Sequence, residues 1–331
     1  MVLAGCRAPI SPEDPLDGAA IDARAALVAL YNATDGPHWK HQDNWCTSRP
    51  LSEWYGVNSL YDAFGREYMD ARGLTYDQAD KDIVYNLCLA GNHLRGSIPD
   101  ELWEITTLEY LDLENLRGLN TLDGSDADNW NDLSSCPIPE SVSDLPHLVE
   151  LRLGGNRIGG HLPEGLWKPS LEVLELNSCA LEGSISPSVA NAASLRVLHL
   201  QNNLLSGRIP DEITTLSALT LLYLGNGFTN NSQQNTFSGP IPESIGEMSS
   251  LQTLDLYMLK GLEGGVPEGI YGLDRLRTCN LACTSLEGIV YGALVEQMKS
   301  ISLFAVGKSP GIKVKRPIPP SLSLYGNDIL D

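Results

Sequence analysis

Leucine recurs along this chain on two nested scales. Within Leu195–Ala218, Leu195, Leu198 and Leu200 open the pattern and Asn203 and Leu205 follow. Gly207, Ile209 and Pro210 occupy the middle, Ile213 and Leu216 close it, and Leu219 begins it again after 24 residues. A fixed period of that size marks a solenoid. The alternation at Leu198 and Leu200 predicts a short strand with one face buried. Asn203 sits where the chain leaves the strand, placing a buried amide against the backbones of adjacent coils. Gly207 permits, and Pro210 fixes, the bend of an outer arc. One coil cannot cover its own apolar face, so the coils must stack.

The pattern restarts at Val84, Leu108, Leu148, Leu171, Leu195, Leu219, Leu251 and Leu276, with intervals of 24, 40, 23, 24, 24, 32 and 25 residues. A weaker ninth start falls near Met298, and Leu322, Leu324, Asn327 and Ile329 have the form of a tenth strand cut short. The two long intervals imply insertions just after the strand, within residues 117–135 and 227–234. Asn92, Asn156 and Asn203 fill the asparagine position and Cys179 replaces it in one coil. Leu116 and Gly227 stand there in the two coils with insertions, which predicts that those coils lose the amide.

LRVLHLQNNLLSGRIPDEITTLSA resembles the plant-specific class of leucine-rich repeat, LxxLxLxxNxLxGxIPxxLxxLxx. Upstream, ALVALYNATDGPHWKHQDNWCTSRPLSEWYGV (residues 26–57) offers an amphipathic helix with Trp39, Trp45 and Trp54-Tyr55-Gly56-Val57. It resembles the N-terminal cap of receptor-like leucine-rich repeat ectodomains and their algal, protist and bacterial relatives. Such a cap covers the first core face of a solenoid. One departure is that Asn58-Ser59 stands where the cap pattern has a second cysteine. The resemblance implies an α/β fold. It is a right-handed, curved leucine-rich repeat solenoid with a parallel inner sheet, a 3₁₀ or irregular outer arc and a helical N-terminal cap. The organisation expected is a lead-in over 1–20, a cap over 21–83 with a helix from Ile21 to Asn32, eight repeats over 84–299, and an irregular ninth with a partial tenth over 300–331.

Charge narrows the partners. With 42 acidic against 22 basic residues the net charge is −20, which repels phosphate backbones and anionic membranes and excludes nucleic acid as a partner. No apolar run reaches the ~18 residues of a membrane span. Of seven cysteines, Cys179 and Cys279 fall at core positions, Cys88 and Cys283 at outward strand positions, Cys46 in the cap and Cys136 at the end of an insertion. A Cys46–Cys88 bridge is conceivable, although spacing alone does not fix connectivity. MVLAGC resembles a bacterial lipobox and makes Cys6 a candidate lipid anchor, but it lacks the basic start and longer apolar stretch of a signal. Either the true start lies upstream or the match is accidental. Asn32-Ala33-Thr34 and Asn230-Asn231-Ser232 are glycosylation sequons, for which chance is the alternative. Tyr61, Tyr68 and Tyr76 among acidic residues in 58–83 read as a solvated loop, with a ligand-contacting flap as the alternative.

Residues between and after the strand leucines point away from the core and line one concave surface. Down the stack this gives Asp112, Arg152, Glu175, His199, Tyr223 and Asp255, with Gln201 and Tyr257 beside them. These are the candidate ligand contacts. Asp126, Asp128 and Trp130 from one insertion, and Asn230 and Asn231 from the other, are expected to flank them. Glu175, His199 and Tyr223 on adjacent rungs invite a catalytic reading, but no nucleophile stands beside them and a cross-strand ladder is favoured. DGSDADNWND fails the calcium-loop pattern because Trp130 and Asn131 occupy key places, and Gly307-Lys308-Ser309 lacks the upstream glycine of a phosphate loop. No cofactor, metal or catalytic residue is assigned. The expected function is recognition of a protein, peptide or glycan outside the cytoplasm or at the cell surface. The alternative is a scaffold, or an inhibitor of a secreted hydrolase.

Overall fold

The computed structural model describes residues 22–58, 82–116, 129–227 and 234–331. They divide into two compact units, Met1–Ser134 with Asp144–Leu148, and Ser135–Ser143 with Val149–Asp331.

The first unit opens with helix α1 (Ala23–Ala33), where the Asp22 side chain accepts the Arg24 N–H at 3.0 Å and so caps the first turn. Ala26, Leu27 and Leu30 form its buried face. Against it Trp39 and Trp45 meet edge to face at 4.8 Å, and Trp45 and Trp54 at 5.0 Å. All three indoles are buried, so the tryptophans legible in the sequence do form the core of the cap. Two inner strands, β1 (Asn86–Cys88) and β3 (Tyr110–Asp112), pair in parallel with Leu87 opposite Leu111. Two outer strands, β2 (Asn92–Gly96) and β4 (Trp130–Leu133), pair likewise.

Asn58 does by hydrogen bonding what a cysteine does in the cap pattern. Its Nδ2 donates to Ile83 O at 2.6 Å, and its Oδ1 accepts from Tyr85 N at 2.9 Å and Asn86 N at 3.2 Å. The cap is thereby tied to the start of β1 without a disulfide. Cys46 and Cys88 are not joined, and the Cys88 Sγ turns instead to Asp112 Oδ2 at 3.8 Å.

The second unit carries eight inner strands in one parallel sheet, with outer strands between them. In chain order they are β5 (Glu150–Arg152), β6 (Val173–Glu175), β7 (Glu182–Gly183), β8 (Val197–His199), β9 (Leu204–Gly207), β10 (Leu221–Tyr223) and β11 (Thr236–Gly239). Then come β12 (Thr253–Asp255), β13 (Gly261–Leu262), β14 (Thr278–Asn280), β15 (Glu287–Tyr291), β16 (Leu303–Ala305), β17 (Gly311–Lys315), β18 (Leu322–Ser323) and β19 (Asp328–Leu330). The inner order is β5-β6-β8-β10-β12-β14-β16-β18. The middle residues Leu151, Leu174, Leu198, Leu222, Leu254, Cys279 and Phe304 are buried in register. The ninth coil begins at Ile301 rather than near Met298, because the strand occupies Leu303–Ala305 and Met298 ends a short helix, α2 (Gly292–Gln297).

The outer arc holds the expected 3₁₀ segments, such as Asp211–Thr215 and Glu243–Glu247, each starting after a proline. It also holds strands the repeat pattern did not announce: β7, β9, β11 and β13 pair in parallel, and β15, β17 and β19 form a second outer sheet. The cause is a second period-2 stretch. Asn203 and Leu205 are buried while Leu204 and Ser206 are exposed, so the segment is extended and hydrogen-bonds to its neighbour.

The asparagine ladder is kept where the sequence reading had lost it. Asn203 donates to Leu176 O at 2.8 Å and Leu200 O at 3.0 Å, and accepts from Cys179 N at 2.9 Å and Leu181 N at 3.1 Å. In the sixth coil Asn235 repeats this, donating to Leu200 O and Leu224 O at 2.8 Å each and accepting from Leu205 N at 3.0 Å. In the second coil Asn131 donates to Leu89 O at 2.8 Å and Leu113 O at 3.0 Å, and accepts from Asn92 N and Leu94 N at 3.0 Å. Both insertions therefore lie between the strand and its ladder residue. The coil resumes at the amide because the backbone groups buried there need it.

Candidate functional site

The sheet face of the second unit carries the residues read as ligand contacts. Parallel pairing sets Arg152 opposite Glu175, Glu175 opposite His199, His199 opposite Tyr223, and Tyr223 opposite Asp255. These are third residues of successive inner strands, held there because the residue before each packs into the core. Arg152 is fixed by two carboxylates. Its Nε and Nη2 donate to Glu150 Oε2 at 3.1 and 3.0 Å, and its Nη1 to Glu175 Oε2. The other oxygen of Glu175, Oε1, lies 3.4 Å from His199 Nδ1. The His199 ring then meets Tyr223 edge to face at 4.6 Å. The result is one continuous polar row, Glu150–Arg152–Glu175–His199–Tyr223, across four adjacent strands. Glu150 was absent from the candidate set, although the alternation of its own strand places it on the same face.

Burial of His199 pushes its imidazole below the ordinary value; Glu175 pulls it back up and Arg152 adds to the fall. A neutral ring with Nδ1–H turned to Glu175 presents Nε2 as a lone-pair acceptor. That Nε2 and the Oε1 of Gln201, two residues along, are buried side-chain atoms with no hydrogen-bond partner among the described residues. The row therefore ends beside two unsatisfied acceptors.

Asp255 and Tyr257 play a different part. Asp255 Oδ1 accepts the Tyr257 N–H at 2.9 Å and Oδ2 accepts from Asn280 Nδ2 at 3.2 Å, so its carboxylate caps its own strand exit. Burial pushes that carboxyl up, and the two hydrogen bonds only partly oppose it. Tyr257 is pushed up to about 12, by burial first and then by its hydrogen bond to Cys283. Gly225 makes room for this turn, since a Cβ there would stand 2.5 Å from Tyr257 N. In the first unit Asp112 does the same, accepting the Glu114 N–H at 3.1 Å.

Trp130 has moved out of the flanking role expected for it. It begins the outer strand β4, stacks on His93 at 4.5 Å, and has the Arg95 guanidinium over its ring at 5.2 Å. The cause is the position of the ladder residue. With Asn131 turned inward, Trp130 belongs to the outer part of its coil. Asp126, Asp128, Asn230 and Asn231 lie outside the described residues, as do Cys6 and the stretch 59–81. Among the described residues no group of three metal-ligating side chains converges, and no helix is long and apolar enough to cross a membrane.

Two coils, residues 147–169 and 194–216, match the family model for the Leucine Rich Repeat. No curated protein matches the chain by sequence. Among solved structures, the ectodomain of the Arabidopsis thaliana receptor kinase GASSHO1/SCHENGEN3, in complex with CASPARIAN STRIP INTEGRITY FACTOR 2, is similar with a TM-score of 0.65 at 23% identity, covering 92% of this chain and 35% of that one. The Arabidopsis HAESA ectodomain, in complex with an extended IDA peptide hormone ligand, gives 0.62 at 23% identity over 92% and 49%. A plant ice-binding protein gives 0.67 at 19% identity over 94% and 87%. The chain thus spans a third to a half of the length of the two receptor ectodomains. With the strand register, the amide ladder and the proline-started outer arc all in place, the chain has the fold of a leucine-rich repeat solenoid, and two of its coils match that family's model.

Proposed function

We propose that this chain is a recognition module that works outside the cytoplasm and binds a peptide or protein segment along the sheet face of its second unit. The row from Glu150 to Tyr223 carries the reading. Neighbouring strands lie about 4.8 Å apart, so four rungs cover about 14 Å, the reach of about four extended residues. The charges along the row are mutually paired, so its side chains are already held in place and little ordering cost falls on binding. Tyr223 and Arg152 are of the types that dominate interface energies. The HAESA ectodomain, similar in fold, holds a peptide hormone. Binding involves no chemical step, and the net charge of −20 turns the module away from nucleic acid.

The test begins with a ligand captured from the extracellular fluid of the source by the purified chain. Arg152→Ala, His199→Ala and Tyr223→Ala are then compared with Arg208→Ala on the outer arc. Each inner-face variant is expected to lose about 1 kcal/mol or more of binding, while Arg208→Ala stays within about 0.5 kcal/mol. Four variants that bind alike would overturn the assignment.

A further inference from the structure

The first unit contains a cavity of its own. A cavity of about 280 Å³ is lined by Asp35, His38, His93, Arg95 and Trp130. It forms where the turn after α1 meets the outer strands β2 and β4. Asp35 is held by His38, whose Nδ1 lies 2.7 Å from Asp35 Oδ1. His93 stacks on Trp130 with the ring planes 14° apart. Among the lining groups Arg95 is the one permanent cation, and Asp35, the one carboxylate, already faces His38.

Arg95 shows its purpose by contrast with a second stacked arginine in the same unit. The Arg24 guanidinium lies 5.1 Å from the Trp54 ring centroid, almost as Arg95 lies over Trp130. Both terminal nitrogens of Arg24 are engaged, Nη1 donating to Thr47 O at 2.8 Å and Nη2 to Arg49 O at 2.9 Å and Asp82 Oδ1 at 3.0 Å. That is the structural use of a stacked guanidinium. The Arg95 guanidinium has the same aromatic support, and no carbonyl or carboxylate among the described residues accepts from it. A planar fork held flat on an indole, with its donors turned to a cavity, matches a carboxylate by two parallel N–H···O bonds. Stacking removes much of the rotamer freedom that a surface arginine gives up on binding, so the fork is ready for its partner.

We propose that this niche binds the carboxylate of a compact polar ligand, of the size of one sugar or amino-acid residue. Arg95 grips the carboxylate and the edge of Trp130 bounds the body of the ligand. The carboxylate belongs either to an acidic sugar or to the end of a peptide, and the probes separate the two.

The experiment uses the full chain labelled with ¹⁵N. The Trp130 indole N–H signal is assigned by its disappearance in Trp130→Phe, and titrations follow it with glucuronate against glucose and with N-acetylglycine against its amide. Saturable movement with one or both carboxylates, and none with their neutral counterparts, is the expected result. Glucuronate alone identifies an acidic sugar, N-acetylglycine alone a peptide end. Arg95→Gln is expected to weaken the effect about tenfold or more, and Arg95→Lys to weaken it less, since charge remains but the fork is lost. Melting temperatures equal to that of the parent chain would show that the variants fold. No movement with either carboxylate, equal movement with the neutral compounds, or movement untouched by Arg95→Gln would each overturn the proposal.

Discussion

Asn235→Ala tests the inference that the sixth coil keeps its amide ladder in spite of the insertion. The side chain is 3% exposed and makes three buried bonds, two from Nδ2 to the carbonyls of Leu200 and Leu224 and one from the Leu205 N–H to Oδ1. Alanine leaves one donor and two acceptors in a dry interior, each costing about 1–3 kcal/mol when orphaned. Carbonyls tolerate this better than N–H groups, so the expected loss is about 3–5 kcal/mol. For a unit of this size that corresponds to a fall in melting temperature of about 6–20 °C. Asn191→Ala, an exposed asparagine ending a 3₁₀ segment, serves as the control, expected within about 0.5 kcal/mol. Urea and thermal unfolding of both variants provide the readout. If Asn235→Ala costs less than about 1 kcal/mol, the amide is not holding adjacent coils together and the ladder account fails.

Cys179 occupies a ladder position where its thiol reaches Leu153 O at 3.3 Å and Asn177 O at 3.5 Å; Cys179→Asn, of similar volume, should raise stability by about 1 kcal/mol, and a lower melting temperature would contradict this. Asn58→Ala removes the tie between cap and first strand, and hydrogen exchange should quicken at the amides of Tyr85 and Asn86 while those of β14 are unchanged. Exchange as slow as in the parent chain would refute the tie. Asp255 has its carboxyl pushed above 3.8 by burial, so the unfolded chain loses that proton first and ionisation costs the fold stability as pH rises. Asp255→Asn should therefore gain stability relative to the parent as pH rises above about 4, the carboxyl's ordinary range. A difference independent of pH would sink that reading.

How much of this was visible beforehand depends on what kind of signal each feature leaves. The inner strands were legible because leucine alternation records burial directly, and the register of Arg152, Glu175, His199 and Tyr223 followed from it. Asn235 carries a signal that the repeat count missed: Asn235-Thr-Phe-Ser-Gly-Pro-Ile-Pro follows the order of Asn203-Leu-Leu-Ser-Gly-Arg-Ile-Pro, an asparagine, a buried residue two places on, then glycine and isoleucine-proline. Counting eight residues from the strand's first leucine hid it, because the insertion shifts the count. Asn131 is harder to see, as one extra residue separates it from Ile138-Pro139. The niche left no local trace. Its lining joins residues 35 and 38 to 93, 95 and 130, and no periodicity connects a turn after a helix with an outer strand. Gly225 shows the same limit, since its need for close approach is set by Tyr257 in the next coil.

The central functional claim is that the sheet face of the second unit is where a partner lies. Hydroxyl-radical footprinting of the chain with and without its captured ligand tests this most directly. Tyr223 and Tyr257 report on that face, and Tyr291, on the outer strand β15 and 42% exposed, reports away from it. The account predicts that the ligand protects Tyr223, with or without Tyr257, and leaves oxidation of Tyr291 unchanged. Protection of Tyr291 with Tyr223 and Tyr257 oxidised as fast as before would contradict it.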